Sequence, residues 1–401
     1  MAMKVRLLLS SVVLLSTTWL ISCGHYTCGT TFGSATCTPS GGGLNQGGGG
    51  NNIGVTAFEY FMDDNAGAVA AEGLNVSNSQ SFTSLSSFVS PPLAPAKTID
   101  WGVAIVGGKF LYIPFNDNTL YGFSIDGTTG ALTPVLLSPY SVTSPSSIVA
   151  DPKGAFLFVG SATGIWVFSV NADGSLTLAP GSPFSSGGTP TQMATDGAGK
   201  YLYAVQSSGI AAFSYATSGV LTPVVGSPFT FSPPMAQVEG DLSGSYLVGT
   251  SAEIGAGSGT IDNHVYVFGI TPSGSSSAGA LTQLTPTATQ FSPAYVAVSP
   301  NGKFVYTFNE TSAGISSPSP MEGYQLSSTG TLTAMSTSPF TALDADIGKF
   351  DQSGQFLFVY ALVGGVGGSY PYAADPSTGT LSSTLPHLGF PSFSFAVTDA
   401  P

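Results

Sequence analysis

The stretch Ser147 to Phe184, SIVADPKGAFLFVGSATGIWVFSVNADGSLTLAPGSPF, decides the fold. Ile148-Val149-Ala150 is apolar, and Asp151-Pro152-Lys153-Gly154 turns. Ala155 to Gly160 is a second run and Ile165 to Val170 a third, with alternating positions. Asn171-Ala172-Asp173-Gly174 turns again, Ser175 to Ala179 is a fourth run, and Gly181-Ser182-Pro183-Phe184 closes the unit. Pro and Gly fall at the breaks, while β-branched and aromatic residues fill the runs, as short strands require.

The unit repeats. The first turn recurs as Asp196-Gly-Ala-Gly199, Asp241-Leu-Ser-Gly244, Ser299-Pro-Asn-Gly302 and Asp351-Gln-Ser-Gly354. A strand with paired large residues follows each: Phe156-Leu-Phe158, Tyr201-Leu-Tyr203, Tyr246-Leu-Val248, Phe304-Val-Tyr306 and Phe356-Leu-Phe358, with Phe110-Leu-Tyr112 in the same series. The second turn recurs at Gly130, Gly174, Gly219, Gly279, Gly330 and Gly379, each opening a Gly-x-Leu-Thr or Gly-x-Leu-Ser run. Those glycines are spaced by 44, 45, 60, 51 and 49 residues. Ser-Pro-Phe or Ser-Pro-Tyr then ends the unit, where a Pro is tolerated because an outer strand can spare a ladder donor.

Four-strand units at this period read as propeller blades. Six are explicit, at 97–142, 143–186, 187–231, 232–290, 291–342 and 343–387. A seventh, at 59–91, lacks a first strand, and Ser392 to Val397 supplies a spare one. The expected fold is therefore all-β: a seven-bladed propeller of four-stranded blades, closed by pairing the N- and C-terminal strands so that no sheet edge is left open.

Over about residues 56–398 these turns and strands resemble the lactonase-type seven-bladed propellers, the family of 6-phosphogluconolactonase-like proteins and the related YVTN-repeat proteins. The resemblance implies lactone hydrolysis by acidic, His and Arg side chains near the channel mouth. Arg6 is the only arginine, and it lies in the leader, so no family arginine maps onto the rest of the chain.

The leader carries Lys4 and Arg6 before the apolar run Leu7 to Leu20, the shape of a secretory signal. That run is short for a membrane span. It ends Leu20-Ile21-Ser22-Cys23, which resembles a bacterial lipobox. The reading is a lipoprotein signal peptide at 1–22, acylation at Cys23, a Gly-rich tether at 23–54 and the propeller at 55–401. Gly24, in place of the Asp that retains some lipoproteins at the inner membrane, favours the outer membrane, on its periplasmic or surface face. The tether spans roughly 30 Å as a Gly-rich coil. Cys28 and Cys37 are expected to meet as a disulfide or to stay as two thiols in the tail, since an exported chain meets oxidising conditions.

The composition narrows the function further. Only 7% of the 401 residues are charged while 42% are hydrophobic, which is not a disordered profile. The net charge of −13 excludes nucleic acid as a partner. No Gly-x-Ser-x-Gly elbow, His-Glu-x-x-His motif or phosphate loop occurs, and no metal or cofactor is expected.

Candidate ligand residues fall in loops between second and third strands and in segments entering each blade: Asp64, Asn116, Asp117, Gln192, Glu253, Asp262, Tyr295 and Asn309. The fifth and sixth units in chain order, counting the N-terminal one first, have the long loops, where function tends to sit on repeat scaffolds. Glu310 with His264 is the acid/base pair to expect, with Asp346 beside it. Trp101 and Trp166 are read as blade packing. Two functions stand: a monomeric, lipid-anchored binding or interaction module at the cell envelope, for a glycan, a small molecule or an envelope protein, or a lactone hydrolase with an altered site.

Overall fold

The computed structural model describes residues 22–23, 26–31, 34–39, 55–63, 68–75, 81–84, 102–251, 262–309, 321–340, 344–363, 366–382, 388–389 and 395–399. Every regular element among them is a strand, so the protein is all-β. Residues 1–50 and 51–401 form separate compact units. The first holds a three-stranded sheet, Ser22–Cys23, Tyr26–Thr31 and Ser34–Pro39. Its hairpin register sets Cys28 directly opposite Cys37. The Gly-rich part of the expected tether lies outside the described residues.

The second unit is a propeller. Six sheets follow the chain in order and are numbered here as blades 1 to 6, each antiparallel and running from an inner to an outer strand. Blade 2 is typical: Pro145–Ala150, Phe156–Ser161, Gly164–Val170 and Leu176–Leu178. A further sheet draws on both ends of the unit, with Phe395–Asp399 antiparallel to Val55–Asp63, followed by Ala68–Asn75 and Ser81–Ser84. The inner strands Ala104–Val106, Pro145–Ala150, Gln192–Thr195, Met235–Gly240, Tyr295–Val298 and Asp344–Phe350 pack side by side in that order, and Phe395–Asp399 touches the last and the first.

The repeated residues each have a job. In the first turn the side-chain oxygen accepts backbone N–H bonds that fix the start of the second strand: Asp196 Oδ1 from Lys200 and Tyr201, Asp241 Oδ1 from Ser245 and Tyr246, Asp351 Oδ1 from Phe356, and Ser299 Oγ from Phe304. Ser-Pro-Phe does more than stop an outer strand. Its serine Oγ accepts the N–H that the missing outer-strand residue would have taken, from Gly122, Val167, Ala212 and Gly323 in four blades. The outer strand then resumes at Phe184, Phe229 and Phe340, which bridge back to Ile165, Ile210 and Met321.

The paired aromatic residues lock neighbouring blades. The Tyr112 hydroxyl donates to the Gly174 carbonyl of the next blade at 2.6 Å. Tyr203 does the same to Gly279 at 3.0 Å, Tyr306 to Gly379 at 2.6 Å, and Tyr60 to Gly130 at 2.8 Å. The aromatic residue two positions earlier lies against the same glycine. A Cβ on Gly174 would sit 2.4 Å from the Phe110 ring, and one on Gly279 would sit 2.5 Å from Tyr201. These glycines also have positive φ, +79° and +86°, so both shape and backbone demand Gly.

Tyr203→Phe should cost about 1–2 kcal/mol, because a buried carbonyl is left without its donor. Gly279→Ala should cost more, about 2–5 kcal/mol, because overpacking adds to left-handed strain. Urea titrations of the two variants check the order; equal and negligible losses would mean that the lock does not hold the blades.

Candidate active site on the loop face

Antiparallel blades put every turn between second and third strands on the same face as the segments that enter each blade. In blade 4 the second strand ends at Ser251 and the third begins at His264. Asp262 sits just before that strand and gathers four side chains. His264 Nδ1 lies 2.8 Å from Asp262 Oδ1. Ser251 Oγ and Tyr266 OH both donate to Oδ2, at 2.5 and 2.8 Å. Ser292 Oγ, from the segment entering blade 5, donates to the Asp262 carbonyl at 3.1 Å.

Burial raises the Asp262 pKa, but the three side-chain hydrogen bonds and the nearby imidazole outweigh it, so the carboxyl is held below its usual range. Burial first, and then Asp262 itself, push the Tyr266 hydroxyl up, so that it stays a donor. The imidazole is the open member of the group: its side chain is 45% exposed, against 13% for Asp262. A carboxylate on Nδ1 fixes the ring and leaves Nε2 as the acid/base atom, the arrangement of an oriented general base.

Beside this group, buried Glu322 closes the connection between blades 4 and 5. Its Oε1 accepts from Gln290 N and Tyr324 OH, and its Oε2 from Phe291 N. All these bonds are internal, so its role is architectural.

The residues expected as ligands divide by environment. Gln192 clamps the free edge of the next inner strand: its Nε2 donates to Val238 O at 2.9 Å, and its Oε1 accepts from Val238 N at 3.1 Å. Gln237 repeats this one blade on, with Val296 N and O. An inner strand has no ladder partner on its channel side, so the amide satisfies groups that would otherwise be bare. Tyr295 is half-buried at the start of the blade 5 inner strand, and Asn309 is buried with its N–H on Ala345 O. Asp346 is buried at a bulge in blade 6; burial and then its charge push the Tyr360 hydroxyl up to about 12. Asn116 and Asp117 are exposed, and Asp117 Oδ1 is engaged by Thr119 within its own turn. Asp64, Glu253 and Glu310 lie outside the described residues, as does Trp101, and so do the side chains of Cys23, Cys28 and Cys37. Trp166 is half-buried and stacks on Phe168, as packing requires. Among the described residues the acid found on His264 is Asp262.

A second ionisable pair was missed in the sequence. Glu239 and Lys349 occupy equivalent positions in the inner strands of blades 4 and 6, each two residues before the turn Asp. Burial raises Glu239 to about 7, opposed by a hydrogen bond from Val298 and by the charge of Lys349. Burial lowers Lys349 to about 8, opposed by Glu239. The signal was there: the same position in blades 2, 3 and 5 is Val149, Ala194 and Ala297.

A model for the seven-bladed β-propeller lactonases matches residues 111–237 and 245–392. The chain belongs to that lactonase family. Comparison with curated proteins gives no match. Among solved structures, a putative 6-phosphogluconolactonase from Bacteroides uniformis superposes with a TM-score of 0.62 at 17% identity, covering 86% of this chain and 99% of that one. A second, from Bacteroides fragilis, gives 0.61 at 16%, covering 87% and 99%. The periplasmic gluconolactonase PpgL of Pseudomonas aeruginosa gives 0.60 at 16%, covering 86% and 99%. At these identities the likeness is one of fold.

The raised Glu239 carboxyl makes a signed prediction. Its folded form binds its proton more tightly than the unfolded chain does, so its contribution to stability falls as pH rises from 4.5 to about 7. Over that window wild type should lose about 3 kcal/mol relative to Glu239→Gln. Denaturant titrations at pH 4.5 and 7.5 check this; a constant difference would show that Glu239 is solvated like any surface carboxylate.

Proposed function

We propose that this chain hydrolyses a lactone that carries no phosphate, with His264 as general base and Asp262 orienting it. The observation that carries the reading is the 2.8 Å contact between His264 Nδ1 and Asp262 Oδ1, beside an exposed imidazole on the loop face. Family membership supplies the reaction class. Nε2 takes a proton as the water oxygen attacks the lactone carbonyl carbon. The ring C–O bond then breaks, and the same nitrogen returns the proton to the departing alkoxide, leaving a hydroxy acid. A phosphorylated lactone is disfavoured because its phosphate wants Arg or Lys forks, and no arginine follows Arg6.

The leader supports a second element of the reading: a lipoprotein held in the cell envelope at Cys23, with seven blades closed by the two ends of the propeller unit. A binding module for a glycan, small molecule or envelope protein at the same face is the second reading, favoured by the scarcity of cationic side chains. Acid release from aldonolactones with and without a terminal phosphate separates the two. Turnover of the phosphate-free lactone should fall about 10²-fold or more in His264→Ala. Asp262→Asn should lower kcat by a similar factor with a smaller change in KM, since it misorients the ring without emptying the site. No turnover above buffer, with the lactone still bound, would leave the binding module; turnover unchanged in His264→Ala would move the chemistry elsewhere.

A further inference from the structure

We propose that the turn Val135-Leu136-Leu137-Ser138 on the outer rim of blade 1 is a membrane-inserting tip that docks the propeller on a lipid surface. The turn is closed by Ser138 N donating to Val135 O. Its third residue, Leu137, has φ +67°, and the equivalent residues of blades 2 and 3 are Gly181 at +84° and Gly226 at +88°. A bulky side chain in that region is strained. Leu137 gains no packing in return: it is 70% exposed, and Leu136 beside it is 65% exposed. Blades 4 and 5 carry Pro286 and Thr337 at this position, neither with positive φ, so of the non-glycine residues found there Leu137 alone takes the left-handed backbone, and it does so with two leucines in solvent. Strain kept without a structural gain points to function.

The backbone at the tip is prepared for an apolar phase. The Leu136 carbonyl accepts the Tyr140 hydroxyl at 2.6 Å, and that hydroxyl in turn accepts Leu176 N. Phe184, Phe229 and Phe340 stand where Tyr140 does, without a hydroxyl to give. Leu136, Leu137 and Tyr140 are therefore departures from the repeat that act together, and a satisfied backbone lowers the cost of leaving water. The apolar character continues on the exposed rim of the next two blades at Pro180 and Val225, and turns polar at Thr285 and Ser336 in blades 4 and 5. Two adjacent exposed leucines offer a small apolar area, which suits a fluid bilayer better than a shaped protein partner. The net charge of −13 leaves apolar insertion, not electrostatic attraction, as the means of contact. This inference rests on the envelope placement proposed above, in that the leader and Cys23 would keep a bilayer within reach.

The chain from Asn51 onward, which forms its own compact unit, is sedimented with zwitterionic phosphatidylcholine vesicles, which do not repel an acidic chain. Wild type should bind. Leu137→Gly should raise the melting temperature, because it relieves the strain, while weakening vesicle affinity about tenfold, so that lost binding cannot be ascribed to misfolding. Leu136→Ser with Leu137→Gly should abolish binding. A wild-type fragment that stays in the supernatant, or binding unchanged in the double variant, would overturn the proposal. So would concentration-dependent self-association that the double variant removes, which would make the tip a contact between copies. Fractionation of the full chain with Cys23→Ala tests the anchor separately: release of that variant alone speaks to acylation, and the vesicle result alone decides the role of the tip.

Discussion

The hydrogen bond from a buried tyrosine to the carbonyl of a glycine one blade away is the constraint on which the propeller depends. Blades share no backbone ladder, so side chains must hold them in register. Tyr60, Tyr112, Tyr203 and Tyr306 are fully buried and reach Gly130, Gly174, Gly279 and Gly379. The first aromatic of the pair fills the space that a glycine Cβ would need. One motif thus satisfies a buried carbonyl, excludes every residue but Gly at the turn, and ties one sheet to the next. In blade 4, where Val248 takes the second position, Tyr246 reaches the Ser328 carbonyl instead; blades 2 and 6 carry Phe158 and Phe358 there and keep only the packing part of the lock.

Side-by-side packing of the inner strands creates a second requirement, because each presents one bare edge to the channel. Gln192 and Gln237 meet it with both ends of their amides. Glu239 meets it with a carboxylate that takes the Val298 N–H, and so carries a charge into a poorly solvated place. Lys349 carries the opposite charge, and each shifts the other back toward its ionised form. A pair of this kind adds little net stability, since desolvation offsets the attraction. Its presence in strands that otherwise carry Val or Ala at that position is a departure for which packing gives no reason.

Much of this was legible in the sequence, and the limit has a physical cause. The all-β propeller follows from local chemistry: Asp151-x-x-Gly154 and its repeats specify a turn within five residues, and Phe156-Leu-Phe158 specifies a strand. Gly174 could be read as a turn glycine but not as the target of Tyr112, because the partner lies 62 residues away. His264 was legible as a candidate base. Its partner was open to the same reading, since Asp262, His264 and Tyr266 alternate and residues two apart in extended chain share a face; Glu310 was expected in that place because it lies in a long loop. Gln192 was legible as polar at a blade entrance, which is equally what a ligand residue looks like; only the position of the Val238 backbone separates the two.

Repetition itself then becomes a tool for finding function. A residue that recurs blade after blade answers a demand that every blade shares, and the turn Asp, the lock Tyr and the turn Gly all fall in that class. A residue that breaks the series at an energetic cost answers a demand found at one place only. Glu239 and Lys349 incur desolvation and Leu137 incurs backbone strain, while Asp262 draws together Ser251, His264, Tyr266 and Ser292 to stay ionised in a half-sheltered site. In a fold built from near-identical sheets, chemistry is therefore to be sought where the sequence departs from its own pattern.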